Sequence, residues 1–154
     1  MAYPFARCSK KAAGTDPVFV LDCSVTMAWV FPDEATEATA RLRDLLEDDR
    51  AVVPSLWAIE VGSVLLAATK RRRIGVESWE ELCAHLEALP IEVDPFSVSR
   101  VWGGALRLAH SYDLTVYDAV YLELALRRQL PLATLDQALG TAARTAGLDT
   151  PADR

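Results

Sequence analysis

"VFVLD", Val18 to Asp22, is the stretch on which the fold turns. Four apolar residues run without a polar break and stop at an acid. A strand with one wet face alternates, whereas a strand covered on both faces reads as a continuous apolar run, the pattern of buried parallel sheets. Reading outward, Ser24 opens a helix through Phe31 that Pro32 breaks, and a second helix is expected from Glu34 to Glu47. "AVVP" (Ala51–Pro54) is another buried strand, followed by a helix from Ser55 to Arg72. A helix over 76–88, a strand "IEV" (Ile91–Val93), a helix from Ser97 to Ser111 and one from Thr115 to Gln129 come next. The strand "PLATLD" (Pro131–Asp136) and a helix from Gln137 to Ala146 complete the pattern, with a last short strand at Leu148–Thr150. Strands alternating with helices imply a three-layer α/β/α sandwich around a mainly parallel sheet.

The chain has 154 residues, 51% of them hydrophobic and 25% charged, which suits one globular domain with a real core. Residues 1–17 read as a polar N-terminal extension ahead of a domain spanning 18–150. No apolar run approaches the roughly 18 residues of a membrane span, and the N-terminus lacks the apolar region of a signal peptide. Three cysteines, Cys8, Cys23 and Cys83, without paired spacing fit a reducing cytoplasm and no disulfide framework. Cys83 and His85 lack the second ligand pair a zinc site needs. The net charge of −6 excludes nucleic-acid binding through bulk charge. Any nucleic-acid contact must rest on a local patch or on bound metal. Lys70–Arg73 and Arg127–Arg128 are basic, but both clusters end helices, where cations suit the dipole anyway.

Ligand sites in open parallel sheets lie beyond the carboxyl ends of the strands. Asp22 and Asp136 both end strands and so point to that edge. Asp118 lies in the opening turn of the helix read in "LTVYDAVYLELALRR", whose N-terminus returns to the same edge if the helix leads into the strand ending at Asp136. Capping is a second account of Asp118, with Thr115 as N-cap and the carboxylate favourable at the positive helix end. Glu60 is the sole acid in "SLWAIEVGSVLLAATK", and it falls on the stripe of Leu56, Trp57, Val64 and Ala67. A carboxylate on a buried face is costly unless paired or metal-bound, so Glu60 is either an arginine's buried partner or a metal or acid–base group.

These four acids, in this order, resemble the PIN-domain ribonucleases and specifically the VapC toxins of bacterial toxin–antitoxin pairs. The matching stretches are "VLDCSVTMAWVFPDE", "PSLWAIEVGSVLLAA", "LTVYDAVYLELA" and "LATLDQAL", framing residues 18 to about 146. The family also often carries hydroxyls matched here by Ser24 and Thr134. Residues 1–17 depart from it, since these toxins usually begin close to the first strand. The resemblance implies a cytoplasmic endoribonuclease that leaves a 5′-phosphate and a 3′-hydroxyl. It also implies restraint by a VapB-like antitoxin and a homodimer. The stretch Trp29–Phe31 with the early helices is expected to supply part of a groove for an antitoxin segment.

Carboxylates alone would repel a phosphodiester. Bound Mg²⁺ or Mn²⁺ reverses the local sign and lowers the pKa of the attacking water, and all-oxygen ligands select such hard cations. Asp22 and Asp118 are therefore assigned as principal metal ligands. Glu60 and Asp136 are further ligands, directly or through water, with Glu60 a candidate proton acceptor. Ser24 and Thr134 would orient ligands or water, and His85 and His110 are incidental. A phospho-receiver domain needs an acidic pair and a nearby lysine, yet Cys23 follows Asp22 and the lysines are Lys10, Lys11 and Lys70. A haloacid-dehalogenase-type phosphatase needs Asp-x-Asp, and position 24 is Ser24. A catalytically silent PIN fold that binds RNA or protein is the remaining alternative.

Overall fold

The computed structural model describes residues 16–153; the extension read in residues 1–17 lies almost wholly outside them. Strands β1 (Pro17–Leu21), β2 (Arg50–Pro54), β3 (Ile91–Asp94) and β4 (Leu132–Ala133) form one sheet in the order β3-β2-β1-β4, every pair parallel. Parallel neighbours need crossovers, and helices supply them. These are α1 (Cys23–Val30), α2 (Glu37–Leu45), α3 (Trp57–Lys70), α4 (Trp79–Ala88), α5 (Ser97–Arg100), α6 (Leu106–Tyr112), α7 (Val116–Arg128) and α8 (Gln137–Thr145).

Alternation along β1 and β2 divides the core. Phe19, Leu21, Ala51 and Val53 face α1 and α2, meeting Val25, Trp29, Leu42 and Leu46. Val20 and Val52 face the other way, onto Tyr121, Leu122, Leu124 and Ala125 of α7 and Leu139 and Ala142 of α8. Both faces are covered, which is why the strands read as continuous apolar runs. The expected α/β/α sandwich is the observed one.

Three expectations need correction. The second helix starts at Glu37 rather than Glu34, because Thr36 and Thr39 form a reciprocal capping box that fixes its first turn. The strand expected at Leu148–Thr150 does not form. Asp149 accepts one backbone bond from Leu132 (2.9 Å), and the chain then turns into a short 3₁₀ helix, Pro151–Asp153. The helix expected over Ser97–Ser111 is interrupted by a π-helical stretch, Val101–Ala105. Gly104 lies there against α7, and a Cβ on it would stand 3.0 Å from Cγ of Glu123. Glycine permits that approach.

Candidate active site

Asp22 follows β1 and caps α1. Its Oδ2 accepts from the backbone N–H of Ser24 (3.3 Å), from the Ser24 hydroxyl and from the Thr134 hydroxyl (2.9 Å). At 6% exposure it is buried. Burial pushes its carboxyl above the ordinary carboxylate range, and the bonds from Ser24 and Thr134 offset this only in part. Ser24 also accepts from the backbone N–H of Leu135 (2.9 Å), which ties the end of β1 to the loop after β4.

Glu60 comes from the first turn of α3, which is held to α1 by the Trp57 indole N–H donating to Thr26 (3.0 Å). The buried stripe of α3 is Val61, Leu65 and Ala68, packed on Cys23, Met27 and Val30. Val64, assigned to the stripe from sequence, is exposed. Glu60 flanks the stripe and is half-buried. Its partner among the described residues is not an arginine: the Tyr121 hydroxyl donates to its Oε2 (2.5 Å). Desolvation raises the Glu60 pKa, the tyrosine bond lowers it, and the negative charges of Asp22 and Asp118 raise it further. Buried Cys23 registers the same field, its thiol pushed up to about 12 by burial and by Asp22 and Glu60. Asp22, Glu60 and Asp118 are thus brought together at the carboxyl edge of the sheet.

Asp118 is partly exposed at the start of α7. Its N–H donates to Thr115 Oγ1 (3.1 Å), and the Thr115 hydroxyl donates to its Oδ2 (2.6 Å). Capping and membership of the acid cluster therefore coexist in one residue. Asp136 is exposed and caps α8 by accepting from Leu139 N–H (2.8 Å). It reaches the cluster through Thr134, whose Oγ1 accepts from the Asp136 N–H (3.0 Å) and donates to Asp22. The charges felt at Glu60 are those of Asp22 and Asp118, which leaves Asp136 at the margin.

Tyr121 was missed from sequence, although it stands three residues after Asp118 and so on the same helix face. Burial and the Glu60 carboxylate push its phenol far above its ordinary value, so it is a permanent donor. The basic clusters resolve largely into structural pairs. Arg73 binds Asp33 and Glu34 and lies over the Phe31 ring, Arg127 binds Asp94 and Glu123, and Arg128 binds Glu92. All three residues of Trp29–Phe31 are buried, and the Trp29 indole N–H donates to the Thr39 carbonyl (2.7 Å); a pocket of about 120 Å³ lies between Ala28 and Trp29 of α1 and Thr39, Ala40 and Arg43 of α2. Their apolar character serves packing under α2.

The four acids offer only oxygen donors. Among the described residues, the side-chain partners of Asp22, Glu60 and Asp118 are hydroxyls rather than cations. That donor set fits a hard divalent cation. It is open, since among the described residues no three His, Cys, Asp or Glu side chains stand close enough to hold one ion.

The profile of the PIN domain matches residues 19–145. Ribonuclease VapC1 of Mycobacterium tuberculosis, in the CDC 1551 and H37Rv strains alike, is 35% identical over 107 residues, covering 66% of this chain and 74% of the relative. The crystal structure of PAE2754 from Pyrobaculum aerophilum superposes with a TM-score of 0.60 at 22% identity, covering 82% of this chain and 79% of that one, a likeness of fold. With its parallel sheet, its acids at the carboxyl edge and a profile match across most of its length, the chain belongs to the PIN-domain family.

Proposed function

We propose that the protein is a metal-dependent endoribonuclease and the toxin of a toxin–antitoxin pair, acting in the cytoplasm as a homodimer restrained by a VapB-like partner. The observation that carries the nuclease reading is the hydrogen bonding of Asp22, Glu60 and Asp118, whose side-chain partners among the described residues are hydroxyls and never cations. Structural acids are paired; acids kept unpaired and desolvated mark a functional site. The likeness to a relative named a ribonuclease supports RNA as the substrate.

Asp22 and Asp118 would hold the Mg²⁺ or Mn²⁺, with Glu60 and Asp136 as further ligands, directly or through water. The bound cation supplies positive charge at the phosphodiester and lowers the pKa of the attacking water. Ser24 and Thr134 fix Asp22 by donating to its Oδ2. Glu60, its carboxyl raised by desolvation, is suited to accept the proton of that water. The open geometry of the acids favours a second reading, a silent fold that binds RNA or protein.

One preparation decides between them. Mn²⁺ binding by calorimetry together with metal-dependent cleavage of single-stranded RNA to 5′-phosphate ends supports the nuclease. RNA binding without cleavage in either metal supports the silent module. Growth arrest on expression, relieved by a small protein encoded next door, tests the toxin assignment.

A further inference from the structure

Tyr121 runs through the core from the middle of α7. Its ring is wholly buried, at 0% exposure, among Val20, Val52, Leu122 and Leu124, and its hydroxyl emerges at the acid cluster on Glu60 Oε2. A buried phenol must find a partner for its O–H, and a carboxylate is the strongest acceptor on offer. The benefit to Glu60 is the less obvious half. Glu60 is half-buried on the flank of α3, carries a long flexible side chain and faces the like charges of Asp22 and Asp118. Repulsion and hydration both favour turning it outward to water. Among the described residues no arginine or lysine holds it in. The tyrosine hydroxyl does.

We propose that Tyr121 is a positioning residue for divalent-cation binding: its hydroxyl holds the Glu60 carboxylate in place beside Asp22 and Asp118 before the cation arrives. The inference rests on the nuclease reading above. It makes α7 contribute twice, with Asp118 as a ligand from its first turn and, one turn on, the group that orients a ligand of α3. Glu60 Oε2 is occupied by the bond. A donor that orients a metal ligand in this way typically governs affinity as strongly as some ligands do.

The test is a double-mutant cycle read by Mn²⁺ calorimetry, with single-turnover and steady-state RNA cleavage beside it. Tyr121→Phe removes one oxygen and keeps the packed ring. Its Mn²⁺ affinity is expected to fall about ten-fold, the lower end of the range for losing such an orienting partner. Its kcat should fall by a similar factor while KM for RNA stays nearly constant. In a Glu60→Ala background the same substitution should change Mn²⁺ affinity by less than about two-fold, because there is nothing left to orient. Wild-type affinity in Tyr121→Phe overturns the proposal, and so does a loss of full size in the Glu60→Ala background. Melts and circular dichroism in chelator establish that the variants are folded. Should Tyr121→Phe not fold, Glu60→Asp decides, since it keeps the charge but withdraws it from the hydroxyl: affinity matching Glu60→Ala supports the proposal and wild-type affinity overturns it. A wild type that neither binds Mn²⁺ nor cleaves RNA overturns the nuclease reading and this inference together. A wild type that does both, with Tyr121→Phe indistinguishable from it, overturns this inference alone.

Discussion

Two strand ends of this molecule begin with the same local device and finish with opposite electrostatics. After β1, buried Asp22 accepts from the Ser24 hydroxyl; at the last residue of β3, buried Asp94 accepts from the Ser97 hydroxyl (2.7 Å) and the Phe96 N–H (3.1 Å). Each has a glutamate among its neighbours, Glu60 by Asp22 and Glu123 by Asp94. The difference is Arg127, which grips Asp94 through both terminal nitrogens (3.2 and 2.9 Å) and Glu123 through Nε (3.1 Å). Desolvation raises the Asp94 carboxyl, but Arg127 and Ser97 more than offset it, so it rests below the ordinary range. Asp22 has no such partner among the described residues and rests above it. A neutralised acid is structural. An acid desolvated without a cationic partner is available to a cation.

The largest expected effect lies in activity. Asp22→Asn and Asp118→Asn should each lower RNA cleavage by at least about 10³-fold, equivalent to about 4 kcal/mol of transition-state stabilisation. Asn caps a helix about as well as Asp, so the fold should persist. Asp94→Asn should leave the rate per folded molecule unchanged. A folded Asp118→Asn protein that cleaves at the wild-type rate would reduce Asp118 to a cap and break the contrast between the two edges.

At the other edge the effect is on stability. Arg127→Met keeps the aliphatic stem but strands Asp94, which has no exposed surface, and Glu123. Breaking a buried pair from one side costs about 3 kcal/mol or more, and denaturant melts should show it. Cleavage measured well below the melting temperature should survive. Loss of activity with full stability would mean that Arg127 serves the substrate instead.

Ionisation separates the edges by sign. Asp22 and Glu60 have raised folded-state values, so between the ordinary value near 3.8 to 4.5 and the folded value the native state binds more protons than the unfolded chain. Stability therefore falls as pH rises through that window and is regained below it. Asp94 behaves oppositely: its contribution is present above the ordinary value of 3.8 and is lost as pH falls through its lowered one. In chelator the wild type should gain stability as pH drops through the raised values of Asp22 and Glu60 toward the ordinary carboxylate range, then lose it in stronger acid as Asp94 protonates. Asp22→Asn should flatten the first limb and Arg127→Met the second. An unchanged first limb in Asp22→Asn would deny that Asp22 is strained.

What the sequence made legible follows from how local each signal is. Asp22 could be placed because an apolar run ending in an acid fixes both strand and edge within five residues. Glu60 was found for an imperfect reason: it stood alone among apolar residues, but the stripe that packs is Val61–Leu65–Ala68. The Asp94–Arg127 pair joins residues 33 apart, and no local pattern told Arg127 from an ordinary helix-end cation. Tyr121 looked like a core aromatic, which its ring is; only the position of its hydroxyl in space reveals the rest. β4 shrank to two residues because pairing with β1 covers only Leu132 and Ala133, a matter of register that composition does not carry.

The smallest effect, and the sharpest on the nature of the acid edge, belongs to Glu60→Gln. The amide oxygen still accepts from Tyr121, so the bond survives while the charge goes. Two carboxylates about 5 Å apart repel by roughly 3 kcal/mol at an effective dielectric near 20, and half-exposure of Glu60 screens this considerably. Relief of about 1 kcal/mol remains a fair expectation, or a rise of about 3 °C in melting temperature in chelator for a domain of this size. In Mg²⁺ or Mn²⁺ the order should narrow or reverse, because the wild type binds the cation more tightly and gains more through linkage. An arginine partner would have produced the opposite pattern, a loss of about 3–5 kcal/mol with or without metal. Melts of the two proteins, each in chelator and in divalent cation, measure all four quantities. Equal and large destabilisation of Glu60→Gln in both conditions would place Glu60 with Asp94 among the structural acids.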